Sequence, residues 1–178
     1  MTGKKNSALI VVDMINDFID PGGALYCGDD ARKIIPAIKR EIDNAHERGI
    51  PVIFVNDRHS PDDREFELFP PHSIEDTAGS EIIPEIKTRQ EDYIIYKNRY
   101  SAFFNTGLED ILKKLDINHL IIVGVCTNIC VLYTSEDAWN LGYSVEIPVD
   151  AVATFDQSIH EFALKELKNT LGVTLREN

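Results

Sequence analysis

Apolar residues run unbroken from Ala8 to Val12 and stop at an acid, Asp13, as a strand buried on both faces of a parallel sheet reads. Over residues 31–48 the period changes: Ile34, Ile35, Ile38, Ile42 and Ala45 recur at helical spacing, and Gly49 stops the run. Strands are expected at 51–56, 93–97, 119–124 and 143–149, with a last short one at 172–175. Helices are expected at 106–115 and 157–169, and from an N-cap at Thr127 to Leu141, where Gly142 ends it. Residues 57–80 carry no period and are rich in Pro, Asp and His. A loop of that length in a compact domain is more often functional than idle.

Strand and helix alternate from end to end without repeats or a linker, so the chain reads as one domain over residues 1–178. The expected fold class is α/β: a three-layer α/β/α, Rossmann-like arrangement of a mainly parallel six-stranded sheet with helices on both faces and right-handed crossovers. A chain of 178 residues can bury a full core without disulfide or metal staples.

Composition narrows the setting. No stretch approaches the roughly 20 apolar residues of a membrane span. The polar start, residues 1–7, predicts no signal peptide and a cytoplasmic home. Three cysteines, Cys27, Cys126 and Cys130, are an odd count that argues against a disulfide framework. A net charge of -12 disfavours nucleic acid and anionic membrane as partners and leaves the reaction open.

Ligands of open parallel sheets bind outside the carboxyl ends of the strands. Strand one ends there in Asp13, strand two runs into Asp57 and His59, strand three ends in Lys97, and strand four leads to Cys126 and Cys130. Cys130 is the candidate nucleophile: the first turn of a helix and a nearby ammonium would both favour its thiolate. Asp13 could take the thiol proton and return it to a leaving amine, while backbone N–H groups around residues 126–130 face a developing oxyanion. The residues alone leave a second reading open, in which Cys130 is a buried small hydrophobe. Asp57, His59 and His72, with Glu65 between them, suit a first-row divalent metal. They equally suit a polar, solvated loop. His46 and His160 are expected exposed, His119 near the solvent end of its strand, and Trp139 in packing. Cys126 and Cys130 do not form a C-x-x-C pair, and the stretch after Asp13 matches neither a phosphate loop nor a dinucleotide fingerprint.

The segments VVDMINDF (Val11 to Phe18), NDRH (Asn56 to His59), LFPPH (Leu68 to His72), KNRYSAF (Lys97 to Phe103), GVCTNICV (Gly124 to Val131), DAWNLGY (Asp137 to Tyr143) and DAVATF (Asp150 to Phe155) stand in order along the chain. With them the chain resembles the isochorismatase-like cysteine hydrolases, and among these the nicotinamidases, from about Ala8 to Val173. The resemblance implies a catalytic triad of Asp13, Lys97 and Cys130. It implies an oxyanion hole from the backbone N–H groups of Cys126 and Cys130, beside a cis bond between Val125 and Cys126. It also implies one divalent metal, zinc first with iron or manganese as alternatives, on Asp57, His59, His72 and, in some members, Glu65. That metal would bind a pyridine nitrogen, and Phe18 and Phe69 would clamp the ring. No organic cofactor is implied; the partner is a small amide, and self-association is expected by analogy. Other relatives act on carbamoyl or ureido compounds with the same triad and generally without the metal ligands. A non-catalytic redox sensor on this fold would instead show a labile Cys126–Cys130 disulfide. The chain departs from many nicotinamidases in the 12 residues between His59 and His72, in Phe69 where tryptophan is common, and in Ser73 where cysteine is common.

Overall fold

A computed structural model describes residues 6–177. Its centre is β1 (Ser7–Val12), whose continuous apolar run is buried on both faces: Leu9 and Val11 enter one core cluster, and Ala8, Ile10 and Val12 the other. Around it lie β2 (Val52–Asp57), β3 (Tyr93–Lys97), β4 (His119–Val125), β5 (Ser144–Pro148), β6 (Val152–Ala153) and β7 (Thr174–Arg176). The order is β3-β2-β1-β4-β5-β7, with β6 pairing β4 beyond the end of β5, and every pairing between these strands is parallel.

The sheet therefore has seven strands where six are expected. The addition is β6, only two residues long, whose Val152 and Ala153 pair with Gly124 and Val125. Two residues are too few to show a period of two.

Helices α1 (Asn16–Ile19), α2 (Asp29–Lys33), α3 (Ile35–Glu47), α4 (Leu108–Lys114), α5 (Leu132–Asn140) and α6 (Gln157–Asn169) complete the layers. The helix expected over 31–48 starts earlier and divides at Ile34. Pro36 sits in the first turn of α3, where its missing N–H leaves no intrahelical bond unmade. Ile35, Ile38 and Ile42 of α3 pack into the cluster holding Leu9 and Phe54. Full burial of each isoleucine stabilises the fold by about 1.5–3 kcal/mol. On the opposite face Leu108 and Leu112 of α4, Ala138 of α5 and Leu167 of α6 cover Ile10, Ile53 and Ile122. Thr106 stays outside α4 because its Oγ1 accepts from Leu108 N–H at 3.2 Å. Helix α6 occupies the expected span, started by Asp156, whose carboxylate accepts from the N–H groups of Ser158 (2.8 Å) and Ile159 (3.0 Å). Among the described residues no helix is long and apolar enough to cross a membrane.

Several single-residue expectations are corrected. His46 is not exposed: its Nε2 lies 2.7 Å from Asp92 Oδ1 and its side chain is enclosed. His160 is half-buried, its Nδ1 2.9 Å from Thr127 Oγ1, and His119 is buried with Nδ1 2.8 Å from Ser144 Oγ. Trp139 does not pack inside but is 54% exposed.

The carboxyl ends of β1, β2, β3 and β4 form one rim. Gly124 makes their approach possible: its φ is +117°, and a Cβ there would lie 2.0 Å from Val12 O. Only glycine fits opposite Val12 in that strand pair.

Candidate active site

At the rim the register places Asp57, the last residue of β2, beside Lys97, the last residue of β3. Asp13 follows β1 with φ 55°, and its Oδ1 accepts from Asp57 N–H at 2.7 Å. Lys97 Nζ lies 2.8 Å from Asp13 Oδ2, contacts Asp57 Oδ1, and donates to Cys130 Sγ at 3.3 Å. All four side chains are buried. An ammonium in such a place needs carboxylate partners, and Lys97 has two.

Burial, then the charge of Asp57, pushes the Asp13 carboxyl up to about 7, against the pull of Lys97 and Cys130. Such a group can both take and return a proton near neutral pH. Burial works against the Lys97 ammonium, but Asp13, Asp57 and Cys130 hold it charged, well above the usual lysine value. Cys130 reverses the expectation of a lowered thiol. Burial pushes it well up, Lys97 pulls it down, and the Asp13 and Asp57 carboxylates push it up again. The resting sulfur therefore carries its proton and needs a base beside it.

The chain between β4 and α5 also differs from expectation. Thr127 does not cap a helix with its side chain, which turns to His160 instead. Residues Thr127–Val131 form one π-helical turn in which Cys126 O accepts from Ile129 N–H (3.1 Å) and Val131 N–H (3.2 Å). Cys130 sits within this turn, and the Val125–Cys126 peptide is cis. Cys126 is not paired with Cys130. Its Sγ lies 3.3 Å from that of Cys27, and all three cysteines are free.

Asp57, His59 and His72 converge next to the lysine. Asp57 Oδ2 is 3.6 Å from His59 Nε2 and 3.9 Å from His72 Nε2, and the ligand atoms of the three lie within 4.8 Å of one another. A short bridge brings the two histidines together: Ser73 O accepts from His59 N–H and His59 O from Glu75 N–H, both at 2.9 Å. Asp17 fixes the same turn, its Oδ2 accepting from Ser73 N–H at 2.7 Å and its Oδ1 from Ala24 N–H at 3.1 Å.

The donor set fits a divalent metal. His59 is fully buried, and neither of its ring nitrogens makes an aligned hydrogen bond. His72 Nδ1 lies 2.7 Å from Pro70 O, which assigns its proton to Nδ1 and leaves the Nε2 lone pair facing the cluster. Burial keeps His72 below the usual histidine value; burial lowers His59 too, but Asp57 and Asp63 hold it above that value. Glu65 Oε1 is 3.9 Å from His72 Nε2 but lies outside the tight group of three.

Cys126, Cys130, Asp13, Asp57 and His72 line one narrow cavity of about 30 Å³ that opens to solvent. Phe18 and Phe69 line it, with ring centroids 5.5 and 6.3 Å from that of His72. Tyr100 and Phe155 complete the aromatic wall, and Leu25 and Ile129 add apolar surface. Sequence reasoning missed these four, as it missed the contact of Asp57 with Lys97. For Tyr100, its place in KNRYSAF was the available signal.

Known proteins of similar sequence share this fold. The family described as "Isochorismatase domain" matches residues 7–177. A nicotinamidase/pyrazinamidase from Bacillus subtilis superposes with a TM-score of 0.91 at 40% identity, covering 97% of this chain and 100% of that one. A pyrazinamidase of Pyrococcus horikoshii in complex with zinc gives 0.89 at 32%, covering 97% and 99%. An N-carbamoylsarcosine amidase from Thermoplasma acidophilum gives 0.88 at 34%, covering 97% and 96%.

Proposed function

The chain belongs to the isochorismatase family, and from that premise we propose that it is a metal-containing nicotinamidase, hydrolysing nicotinamide to nicotinic acid and ammonia. The observation that carries this reading is the placing of Asp57, with one carboxylate oxygen on Lys97 and the other facing His59 and His72. Asp13 and Cys130 of the candidate triad and Asp57 and His72 of the ligand cluster thus line one narrow aromatic cavity.

In the proposed reaction Asp13 accepts the Cys130 thiol proton as Sγ attacks the carboxamide carbon. Lys97, 3.3 Å from the sulfur, stabilises the thiolate as it forms. The carbonyl oxygen becomes an oxyanion facing the backbone N–H groups of Cys126 and Cys130. Asp13 passes its proton to the nitrogen, the C–N bond breaks, and ammonia leaves a Cys130 thioester. Asp13 then draws a proton from water, whose oxygen attacks the thioester carbon; nicotinic acid departs and the sulfur regains its proton. A divalent ion held by Asp57, His59 and His72 would supply a Lewis acid for the pyridine nitrogen, and Phe18 and Phe69 would hold the ring's faces.

A second reading keeps the acyl-enzyme chemistry but takes another small amide or a ureido compound. Similarity to the N-carbamoylsarcosine amidase favours it. Ammonia release from nicotinamide before and after chelation separates the two. Loss on chelation and return with zinc is expected. Nicotinamide left untouched by the zinc-loaded protein, with other small amides turned over, would replace the first reading by the second.

A further inference from the structure

Asp63 stands in the loop between the two candidate histidine ligands, four residues after His59. Its side chain is only 5% exposed, and its Oδ2 lies 3.1 Å from His59 Nδ1, in ion-pair contact though off the line of a hydrogen bond. The opposite side of this carboxylate is occupied. Arg99 Nη1 donates to Oδ1 at 2.9 Å and to Oδ2 at 3.1 Å, and Glu65 N–H donates to Oδ1 at 2.9 Å. Arg99 lies two residues beyond Lys97, so Asp63 ties the histidine loop to the strand that delivers the lysine.

We propose that Asp63 is a positioning residue for the metal site, holding His59 with its proton on Nδ1 and its Nε2 lone pair towards Asp57 and His72, with Arg99 fixing the carboxylate in turn. The proposal rests on the metal-site reading above. Three observations converge on it. The His59 ring is fully buried, so water cannot orient it. Backbone bonds to Ser73 and Glu75 fix the His59 main chain but leave ring rotation free. Asp63 is the carboxylate on the Nδ1 side, and a carboxylate behind a histidine ligand both sets the tautomer and raises the basicity of the metal-facing nitrogen. The two acids around His59 thereby divide the work: Asp57 shares the ligand face, and Asp63 stands behind the ring.

Asp63 also caps the short 3-10 turn Arg64–Glu67 through the Glu65 N–H, and this gives a clean separation of roles. Asparagine and serine cap as well as aspartate does, but neither carries the charge that faces His59 and Arg99. Zinc affinity of the purified chain is measured by competition with a chromophoric chelator, for the unaltered protein, Asp63→Asn and Asp63→Ser. Thermal melting reports folding, and the visible spectrum of the cobalt(II)-loaded protein reports ligand geometry. The expected result is a lowered melting temperature in a chain still folded at the assay temperature, with affinity weakened about 10–100-fold and altered cobalt bands in both variants. Wild-type affinity and cobalt bands in a folded Asp63→Asn or Asp63→Ser protein would reduce Asp63 to a cap and overturn the inference alone. Failure of the unaltered chain to bind one zinc would overturn the metal-site reading, and this inference with it.

Discussion

Asp57 and Lys97 are register partners on β2 and β3, and the carboxylate of one meets the ammonium of the other beneath the candidate nucleophile. Because the second oxygen of Asp57 faces His59 and His72, a single side chain joins the proton-transfer groups to the ligand cluster.

This double contact predicts that two substitutions in the ligand cluster behave differently. Asp57→Asn is expected to weaken zinc binding and to lower turnover by at least about 100-fold, as loss of a group supporting proton transfer does. Saturating zinc should not restore the rate, because the electrostatic balance around Lys97 has changed too. His72→Ala is expected to weaken zinc binding while leaving Lys97 and Cys130 in contact, so excess zinc recovers part of the rate. Chelator competition and ammonia release over a zinc titration check both.

Gly124 of β4 pairs with Val12 of β1, with φ +117° and no room for a Cβ against Val12 O. Gly124→Ala is expected to destabilise the fold by about 1–3 kcal/mol from backbone strain alone, more if β1 must shift. Asp13 and Cys126 lie just beyond this pair, so activity should fall further than stability does. Urea denaturation and turnover on the same preparation give the comparison.

How much of this was legible beforehand follows from the kind of signal each part carries. The run 8–13 and the strand Tyr93–Lys97 were readable because apolar runs closing in a charged residue leave one exit, the rim. Helix Gln157–Asn169 was readable because its buried face recurs at helical spacing and Gly172 follows it. The two-residue β6 and four-residue α1 were not, being shorter than the periods that reveal such elements. Trp139 was misplaced because nearby apolar residues say nothing of which way the large ring turns. The candidate triad positions could be read from strand order and the family resemblance, whereas the upward push on the Cys130 thiol comes from burial, which spacing does not encode. The contacts of Asp63 with His59 and Arg99 join two segments 36 residues apart and depend on how the loop folds back.

Asp156 gives a test that is independent of the chemistry. Hydrogen bonds from Ser158 and Ile159 at the start of α6 hold its carboxyl below the usual aspartate value of 3.8. A depressed folded-state value contributes stability that is present above the unfolded value and is lost as pH falls through the folded one. Asp156→Ala is therefore expected to lower the melting temperature at pH 7, and the gap to the unaltered protein should narrow as pH falls below about 3.8. Melting curves across that range decide it, and a gap that widens in acid would contradict the capping role.

Ammonia release from nicotinamide by the zinc-loaded protein, measured beside a folded Cys130→Ala variant, tests the central claim most directly. The account predicts steady release by the unaltered protein and none above background from the variant, because the thioester cannot form without the sulfur. Release at a similar rate by both would contradict it, removing Cys130 as nucleophile and the Asp13–Lys97–Cys130 chemistry with it.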